Sequence, residues 1–485
     1  MDMKNDNRNY TLMTDLYELT MMQGYFKKNG RNKDLAIFDV FYRSNPSDGG
    51  YAICCGLESV VNYIKNLHFS TEDIAYLASI GIFDKDFLDY LGDFKFTGSI
   101  YAIPEGTVIH PMEPLLKVIA PIDQAQLVET TILCFINHQS LIATKASRVC
   151  YAAKGEPVME FGLRRAQGAD AGTYGARAAV IGGCAGTSNV LCGKLWGIPV
   201  LGTHAHSWIM SFPSEYEAFR TYAEMYPQNA TLLVDTYNTL KSGVPNAIRV
   251  FKELRDEGRM PQKYGIRLDS GDLAYLSKEA RKMLDEAGFE DASICASNDL
   301  DEWLIQDLKM QGCKVNSWGV GTNLITSKDC PSFGGVYKMA AVEDNGKVVP
   351  KIKLSENTVK ITNPGNKTVY RIYNSEGMAI ADLITLADEP APSGDLVLFD
   401  PKETWKRTKL AAGQYTAKEI MVPVFVDGEC VYELPTVSEI KDKCKDEMAH
   451  MWEECKRFEN PHTYYVDLSQ KLYDLKMDML SEESM

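Results

Sequence analysis

Four short runs of this chain share one arrangement: strand-like apolar residues come first, and a polar, cationic or glycine cluster follows or ends the run. When such residues follow the carboxyl ends of several parallel strands, they lie together at one end of the sheet, as in an α/β barrel. The sequence therefore predicts an enzyme built on a barrel-like parallel sheet. The runs are Val158–Gln167, Ile198–Ser207, Tyr264–Asp272 and Val315–Thr326.

The chain is long enough for two domains, since 485 residues exceed what one hydrophobic core usually needs. Residues near 95–121 and 336–382 have the composition of β structure, with an Asn-Gly hairpin signal at Asn345. The stretch from about 435 to 480 is charged and predicted to be helical. Between these flanks, roughly 125–335 alternates strands with helices, which is typical of βα units.

These patterns predict an α/β fold with two parts. A barrel-like catalytic domain occupies 126–344, and a flanking α+β domain combines both chain ends, 1–125 and 345–485. One βα unit is clear in the sequence, because Asp272 can cap a helix with an apolar stripe that ends at Gly288.

Composition narrows the classes of partner. The net charge of −15 disfavours a nucleic-acid or anionic-membrane surface, and no apolar run is long enough to span a bilayer. The N-terminus is polar, and the twelve cysteines lack zinc-type spacing. Reduced thiols in a cytoplasmic protein are therefore expected.

Arg267 and Asp269 lie two apart in the third run, so their side chains share one face of the strand. For an isolated pair, a buried salt bridge is the simplest interpretation. Here Ser270 and Asp272 follow at once in a polar turn, which favours a functional role. Arg267 could clamp a carboxylate, and the two aspartates could hold ribose hydroxyls or Mg²⁺.

The first and last runs contain residues suited to binding anions and flat rings. Gly321 and Thr322 end the last strand-like run, where backbone N–H groups can approach a phosphate. Arg164 and Arg165 closely follow Phe161, so an anion site beside a ring-stacking surface is possible, although a solvated basic strand end is the alternative.

Two histidines, His204 and His206, lie at the end of the second run. No third or fourth metal ligand is evident, so zinc is not expected. A histidine at a strand end can act as a general base or as a nucleophile that carries a phosphoryl group, and a structural role is the alternative. Asp235 ends a further strand-like stretch, where capping and ligand binding are equally compatible with the sequence.

With these residues in place, the chain resembles the nicotinate phosphoribosyltransferase family, because family-like motifs follow in order along nearly its whole length. The resemblance implies a type II phosphoribosyltransferase fold, which is an irregular α/β barrel packed against an α+β domain, and a homodimer with shared active sites. The motifs include TDLYELTM at Thr14–Met21, INHQSLIATKASR at Ile136–Arg148, EFGLRRAQG at Glu160–Gly168, the segment Gly186–Ser207 and GGVYKMAAV at Gly335–Val342.

The resemblance also implies a reaction. Nicotinate and phosphoribosyl pyrophosphate (PRPP) would give nicotinate mononucleotide and pyrophosphate in NAD salvage. ATP would be a co-substrate, coupled through a phosphohistidine, and Mg²⁺ would be the cofactor. The alternatives are a nicotinamide phosphoribosyltransferase and a non-catalytic phosphosugar-binding barrel.

Family roles carry over to the motif positions of this sequence. His206, in a Thr-x-Ala-His-Ser pattern, would be the phosphorylated catalytic histidine, and Asp269 the catalytic acidic residue that contacts ribose. Phe161 would stack on the pyridine ring, and Tyr17 of the partner subunit would close the other face. Arg267 would approach the substituent of the ring.

The other implied contacts concern phosphate and specificity. Ser188 stands where the related nicotinamide enzyme has an aspartate, and a neutral hydroxyl beside Arg267 suits a carboxylate. The run Ser297-Asn298-Asp299 departs from the Gly-Asp-Gly of that relative, so its contacts stay open. Phosphate-binding roles fall on Arg164, with Arg165 as the second cation, and on Gly321 and Thr322.

Overall fold

The computed structural model divides into two compact units. We call Ile142–Pro331 the barrel unit, and Met1–Leu141 together with Ser332–Met485 the sheet unit. The residues that the structure describes are 8–28, 31–354 and 361–482.

Helices and strands are numbered along the chain. The first part of the sheet unit contains α1 (Leu16–Lys27), β1 (Leu35–Tyr42), β2 (Ala52–Ile53), α2 (Leu57–Lys65), α3 (Thr71–Ile80), α4 (Lys85–Gly92), β3 (Ser99–Ala102), β4 (Val108–Ile109), β5 (Leu116–Pro121) and α5 (Ile122–Leu127). Helix α6 (Glu129–Ala152) continues from this part into the barrel unit. The barrel unit contains β6 (Val158–Glu160), α7 (Ala169–Ile181), β7 (Gly186–Thr187), α8 (Val190–Trp196), α9 (His206–Met210), α10 (Glu215–Met225), β8 (Ala230–Leu233), α11 (Val244–Asp256), β9 (Tyr264–Leu268), α12 (Leu273–Glu286), β10 (Ser293–Ser297), α13 (Glu302–Met310), β11 (Ser317–Val320) and α14 (Thr322–Ile325). The last part of the sheet unit contains β12 (Gly335–Asp344), β13 (Lys347–Pro350), β14 (Lys367–Asn374), β15 (Ala379–Leu386), β16 (Leu396–Phe399), β17 (Arg407–Leu410), β18 (Tyr415–Glu419), β19 (Val422–Val426), β20 (Glu429–Cys430), α15 (Val437–Ala449), α16 (Glu453–Lys456), β21 (Tyr465–Leu468) and α17 (Gln470–Glu482).

The barrel unit is built on a parallel sheet with the strand order β7-β6-β11-β10-β9-β8. Parallel strands need crossover connections, and helices such as α12 provide them. Asp272 caps α12 by accepting a hydrogen bond from the Tyr275 N–H at 2.8 Å, as the sequence predicted. The predicted α/β barrel class, with a second domain, is confirmed.

One predicted strand of the barrel unit is wrong. The apolar residues Ile198–Gly202 form an isolated bridge, in which Val200 pairs with Thr187, and Val200 is exposed. Pro199 explains part of this difference, because it has no N–H to donate to a ladder. The bridge places Thr203 and the two histidines after a short irregular segment instead of a buried strand.

The sheet unit contains a seven-stranded sheet, ordered β13-β12-β1-β5-β3-β19-β20, and a four-stranded sheet, ordered β18-β14-β15-β21. The predicted hairpin is confirmed: β12 and β13 pair up to Asp344 and Lys347, and Asn345 and Gly346 have φ angles of 49° and 77°. Stacking of Phe38 on Tyr337, with ring centroids 4.8 Å apart, joins β1 to β12 in the core.

Two further expectations differ from the structure. The stretch 435–480, predicted to be helical, contains the strand β21, which pairs in parallel with β15. Strand β12 belongs to the sheet unit, whereas the predicted barrel domain extended to residue 344. Pairing with β1 accounts for the second difference, because a ladder partner distant in sequence leaves no local signal.

Two general expectations can be compared with the described residues. None of the helices in the described part of the chain is both long enough and apolar enough to cross a bilayer. The cysteines of the structure are free thiols; Cys184, Cys192 and Cys295 are buried, whereas Cys134 is exposed.

Candidate active site

Residues from four segments of the barrel unit meet around the guanidinium of Arg267, at the carboxyl end of β9. Its Nε donates to Ser297 Oγ at 2.8 Å, Nη1 to Thr203 Oγ1 at 2.8 Å, and Nη2 to Asp269 Oδ1 at 2.8 Å. Ser297 ends the neighbouring strand β10, which pairs in parallel with β9, so both strands release their polar residues at the same edge. The predicted convergence of strand ends is present.

The hydrogen bonds of Arg267 leave part of its guanidinium available to a ligand. A guanidinium has five N–H donors, and the described contacts use three of them. The side chain keeps 18% of its surface exposed, so it is accessible to a ligand. Two donors therefore have no acceptor in these contacts and are available to an anionic ligand.

The carboxylate of Asp269 is held in its charged form. Burial alone would raise its pKa, but hydrogen bonds from Ser297 and Arg267, together with the charges of Arg267 and His206, lower the pKa below its usual value. Its backbone N–H donates to Asp235 Oδ2 at 2.8 Å, and the Ser270 hydroxyl donates to the same oxygen at 2.6 Å. Asp235 thus fixes the turn that follows β9.

The two histidines of the second run have different surroundings. His206 begins α9 and is partly exposed; its Nδ1 lies 3.0 Å from Thr236 Oγ1, and its Nε2 lies 3.7 Å from Asp269 Oδ2. His204 is buried and accepts a hydrogen bond from the Leu233 N–H at its Nε2, at 3.2 Å. Burial lowers the pKa of His204 to about 4, so it is neutral at pH 7 and suits a structural role.

Phe161 forms an aromatic wall beside the guanidinium. The centroid of its ring lies 5.8 Å from Arg267 Cζ. The ring also covers Gly319 of β11, where a Cβ atom would lie only 2.7 Å from Phe161 Cδ2 and Cε2. Glycine at position 319 therefore makes room for this ring, and the two adjacent strands hold it at the strand-end edge.

The other predicted residues differ in their local surroundings. Gly321 lies close to Phe161, because a Cβ there would meet the Phe161 carbonyl oxygen at 3.3 Å, and Thr322 begins α14 next to it. The Ser188 N–H donates to the Glu160 carbonyl at 2.9 Å, directly before Phe161. Arg164 and Arg165 are exposed on a short helical turn, and Tyr17 is exposed on α1 of the sheet unit.

Sequence reasoning missed two hydroxyls and one carboxylate of this region, and it left the contacts of Ser297 open. Thr203, Thr236 and Ser297 orient the functional groups through the contacts described above. The buried Glu160 accepts hydrogen bonds from the Gly162 N–H and from the Thr187 hydroxyl, and so supports the backbone on both sides of Phe161. Ser297 and Glu160 end the strands β10 and β6, which was the available signal for these two residues. Thr203 and Thr236 had no such signal, because threonine is too common to stand out.

An α/β barrel whose strand ends gather a guanidinium, carboxylates, a histidine and an aromatic wall defines a class: enzymes that bind an anionic, ring-containing substrate. Comparison with known proteins specifies the class further. Three family models match: the nicotinate phosphoribosyltransferase N-terminal domain over residues 12–137, the nicotinate phosphoribosyltransferase family over 157–378, and its C-terminal domain over 366–476. The chain belongs to the nicotinate phosphoribosyltransferase family and is an enzyme.

Similar proteins cover the chain almost completely. It is 46% identical to nicotinate phosphoribosyltransferase of Bacillus subtilis over 97% of this chain and 95% of that protein. Nicotinate phosphoribosyltransferase of Homo sapiens is 32% identical, over 98% of this chain and 97% of its own. The crystal structure of human nicotinic acid phosphoribosyltransferase superposes with a TM-score of 0.84 at 31% identity, covering 96% of this chain and 99% of that one.

Proposed function

We propose that this chain transfers the phosphoribosyl group of PRPP to nicotinate and couples the transfer to ATP through a phosphohistidine at His206. The observation that carries the proposal is the cluster of Arg267, Asp269 and His206 at one strand-end edge, beside Phe161. In the proposed reaction, Arg267 binds the carboxylate of nicotinate, Asp269 contacts ribose and His206 is the nucleophile, all within one site. The family membership supports the same substrates.

The ring end of the site suits nicotinate. The two remaining N–H donors of Arg267 can bind the substrate carboxylate, while Phe161 stacks on the pyridine ring. Holding the ring nitrogen in line with the ribose carbon supplies the orientation that the displacement needs. We propose that Ser188 favours the acid over the amide, because it adds no negative charge, and that Tyr17 of the partner subunit closes the ring's other face in a homodimer.

Gly319→Ala tests the ring-stacking role of Phe161. The added Cβ would lie 2.7 Å from two ring atoms, so the ring must shift. We expect KM for nicotinate to rise about tenfold, since aromatic stacking contributes roughly 0.5–1.5 kcal/mol. Gly92→Ala is the matched control, because a Cβ there meets nothing within 4 Å. An unchanged KM in Gly319→Ala would argue against the stack.

The ribose and phosphate end relies on acidic groups, cations and backbone N–H groups. Asp269 is placed to accept hydrogen bonds from ribose hydroxyls, and the backbone at Gly321 and Thr322 can bind the 5′-phosphate. The exposed Arg164 and Arg165 can neutralise pyrophosphate. The bond between ribose and pyrophosphate breaks as the ring nitrogen adds, so the leaving charge develops at these groups.

Mg²⁺ fits the carboxylates of this site. Asp235 Oδ1 is buried and has no hydrogen-bond partner among the described residues, so it can bind a cation. The described residues hold no cluster of three or more His, Cys, Asp or Glu side chains arranged for a metal. Mg²⁺ is often held by one or two carboxylates together with substrate phosphates, and it would neutralise the charge of pyrophosphate when bound.

His206 is placed to act as a nucleophile at Nε2. If Nδ1 carries the proton and donates it to Thr236 Oγ1, the Nε2 lone pair is free. Attack on the γ-phosphorus of ATP forms the N–P bond and releases ADP, and hydrolysis later returns the imidazole and phosphate. The added negative charge beside Asp269 can share a cation with PRPP, which links ATP use to PRPP affinity.

His206→Ala should abolish labelling of the protein by γ-labelled ATP, because the phosphoryl acceptor is gone. The label on the unaltered protein should be labile in acid and stable in base. His68→Ala, an exposed histidine of the sheet unit, is the control and should label normally. Label that persists in His206→Ala would refute the assignment.

A further inference from the structure

The sheet unit contains a cavity of about 680 Å³, a size typical of small-molecule sites. Strand β21 and helix α17 contribute to its wall, together with the loop that follows β16. Apolar side chains such as Ile384 and Leu468 line it, and charged groups of both signs stand among them. The charged residues that matter below are Arg43, Asp467 and Lys476.

Asp467 is a buried carboxylate that has no hydrogen-bond or ion-pair partner in the described part of the chain. Its residue is only 4% exposed, and none of the residues that the structure describes donates a hydrogen bond or ion pair to its side chain. Burial, followed by the charge of Asp400, raises the pKa of Asp467 to about 6. Asp400 is itself satisfied, because its Oδ1 accepts hydrogen bonds from the backbone N–H groups of Lys402 and Glu403. Asp467 therefore lacks a donor that a ligand could supply.

Two cationic groups that line the same cavity have no acidic partner among the residues that the structure describes. Lys476 Nζ donates to Asn363 Oδ1 at 2.9 Å, which is a neutral partner, and burial followed by repulsion from Lys402 and Lys367 lowers its pKa to about 8. The Nε of Arg43 is buried and has no acceptor among the described residues. Charge that is removed from water without a partner is unfavourable for folding, so its retention around one cavity points to a ligand.

We propose that this cavity binds a ribose phosphate ligand of nucleoside monophosphate size. Hydroxyl groups of the ribose would donate to Asp467, and the phosphate would bind Lys476 and Arg43. The apolar side chains of Met477 and Leu480, which keep part of their surface exposed, would contact a base. The proposal concerns the sheet unit alone and does not depend on the reaction proposed at His206.

Equilibrium dialysis of the full-length chain with AMP tests this site. The background is His206→Ala/Arg267→Ala, which removes two groups of the barrel-unit cluster. We expect one AMP per chain, and at least tenfold weaker binding after either Asp467→Asn or Lys476→Met. Lys471→Met is the matched control on α17, because Lys471 is exposed and pairs with Asp388 at 2.9 Å. Absent AMP binding, or equal affinity in all these variants, would overturn the proposal.

The thermal stability of Asp467→Asn separates lost binding from misfolding. The pKa of Asp467 in the folded chain, about 6, exceeds its ordinary value of 3.8. The carboxylate therefore destabilises the fold above pH 6, and this destabilisation fades as the pH falls from 6 to 4. Without ligand, Asp467→Asn should raise Tm at pH 7.5 and have little effect at pH 4. A lowered Tm at pH 7.5 would contradict the unpaired carboxylate on which the proposal depends.

Competition identifies the part of the ligand that is recognised. Ribose 5-phosphate should displace AMP from the background protein, because it carries both the hydroxyls and the phosphate. Adenosine and inorganic phosphate should each displace it at least tenfold less well. If inorganic phosphate competes as well as ribose 5-phosphate, or adenosine as well as AMP, the combined recognition of hydroxyls and phosphate is wrong.

Discussion

Arg267→Ala is expected to lower kcat/KM for nicotinate by about two to three orders of magnitude. When nicotinate is bound, Arg267 and its carboxylate would form a hydrogen-bonded charge pair removed from water, and removing one partner of such a pair costs about 2–5 kcal/mol. The variant loses both N–H donors that remain for the substrate carboxylate, and it removes the cation beside Asp269. The effect should appear mainly in KM for nicotinate, measured from initial rates at saturating PRPP and ATP.

Three comparisons make this result specific. Arg267→Lys keeps the charge but not the planar fork, so its loss should be intermediate. Arg249→Ala removes an exposed arginine that pairs with Glu253 on the same helix, and its kcat/KM should stay unchanged. Nicotinamide has no carboxylate, so any residual turnover of nicotinamide should change less than that of nicotinate. An Arg267→Ala enzyme with normal KM for nicotinate would contradict the assigned role.

The sequence predicted those parts of the fold and site that depend on local patterns. The α12 helix and its Asp272 cap follow from apolar spacing and a capping residue, and the β12–β13 hairpin follows from Asn345 and Gly346. The pairing of Arg267 with Asp269 follows from the two-residue period of a strand. Each of these signals lies within a few residues of the element that it specifies.

Contacts between distant segments were not predictable in this way. Thr203 and Ser297 reach Arg267 from 64 and 30 residues away, and nothing in their own surroundings distinguishes them from other hydroxyl residues. The parallel pairing of β21 with β15 likewise overrode a local helical pattern. Tertiary contacts determine the secondary structure of such short segments, since intrinsic propensity contributes less to their stability than packing and strand pairing do.

A large loss of stability is expected when the buried ion cluster of Glu302, Lys145 and Arg148 in the barrel unit is disrupted. Glu302 begins α13 and is fully buried. Its Oε2 lies 2.7 Å from Lys145 Nζ and its Oε1 lies 2.8 Å from Arg148 Nε, with both cationic side chains at most 3% exposed. The carboxylate therefore compensates two buried positive charges of α6. Helix α13, which begins at Glu302, follows the loop after Ser297.

Glu302→Ala should lower the free energy of unfolding by about 3–5 kcal/mol, because removing one member of a buried ion cluster leaves uncompensated charge. Lys145 keeps Asp329 as a partner at 2.6 Å, which limits the loss at this residue. Urea unfolding followed by circular dichroism measures the change, and Glu286→Ala, at an exposed position of α12, should stay within about 0.5 kcal/mol of the unaltered chain. Equal midpoints for the two variants would show that water or neighbouring groups compensate the buried cations, and that the cluster contributes little to the stability of this unit.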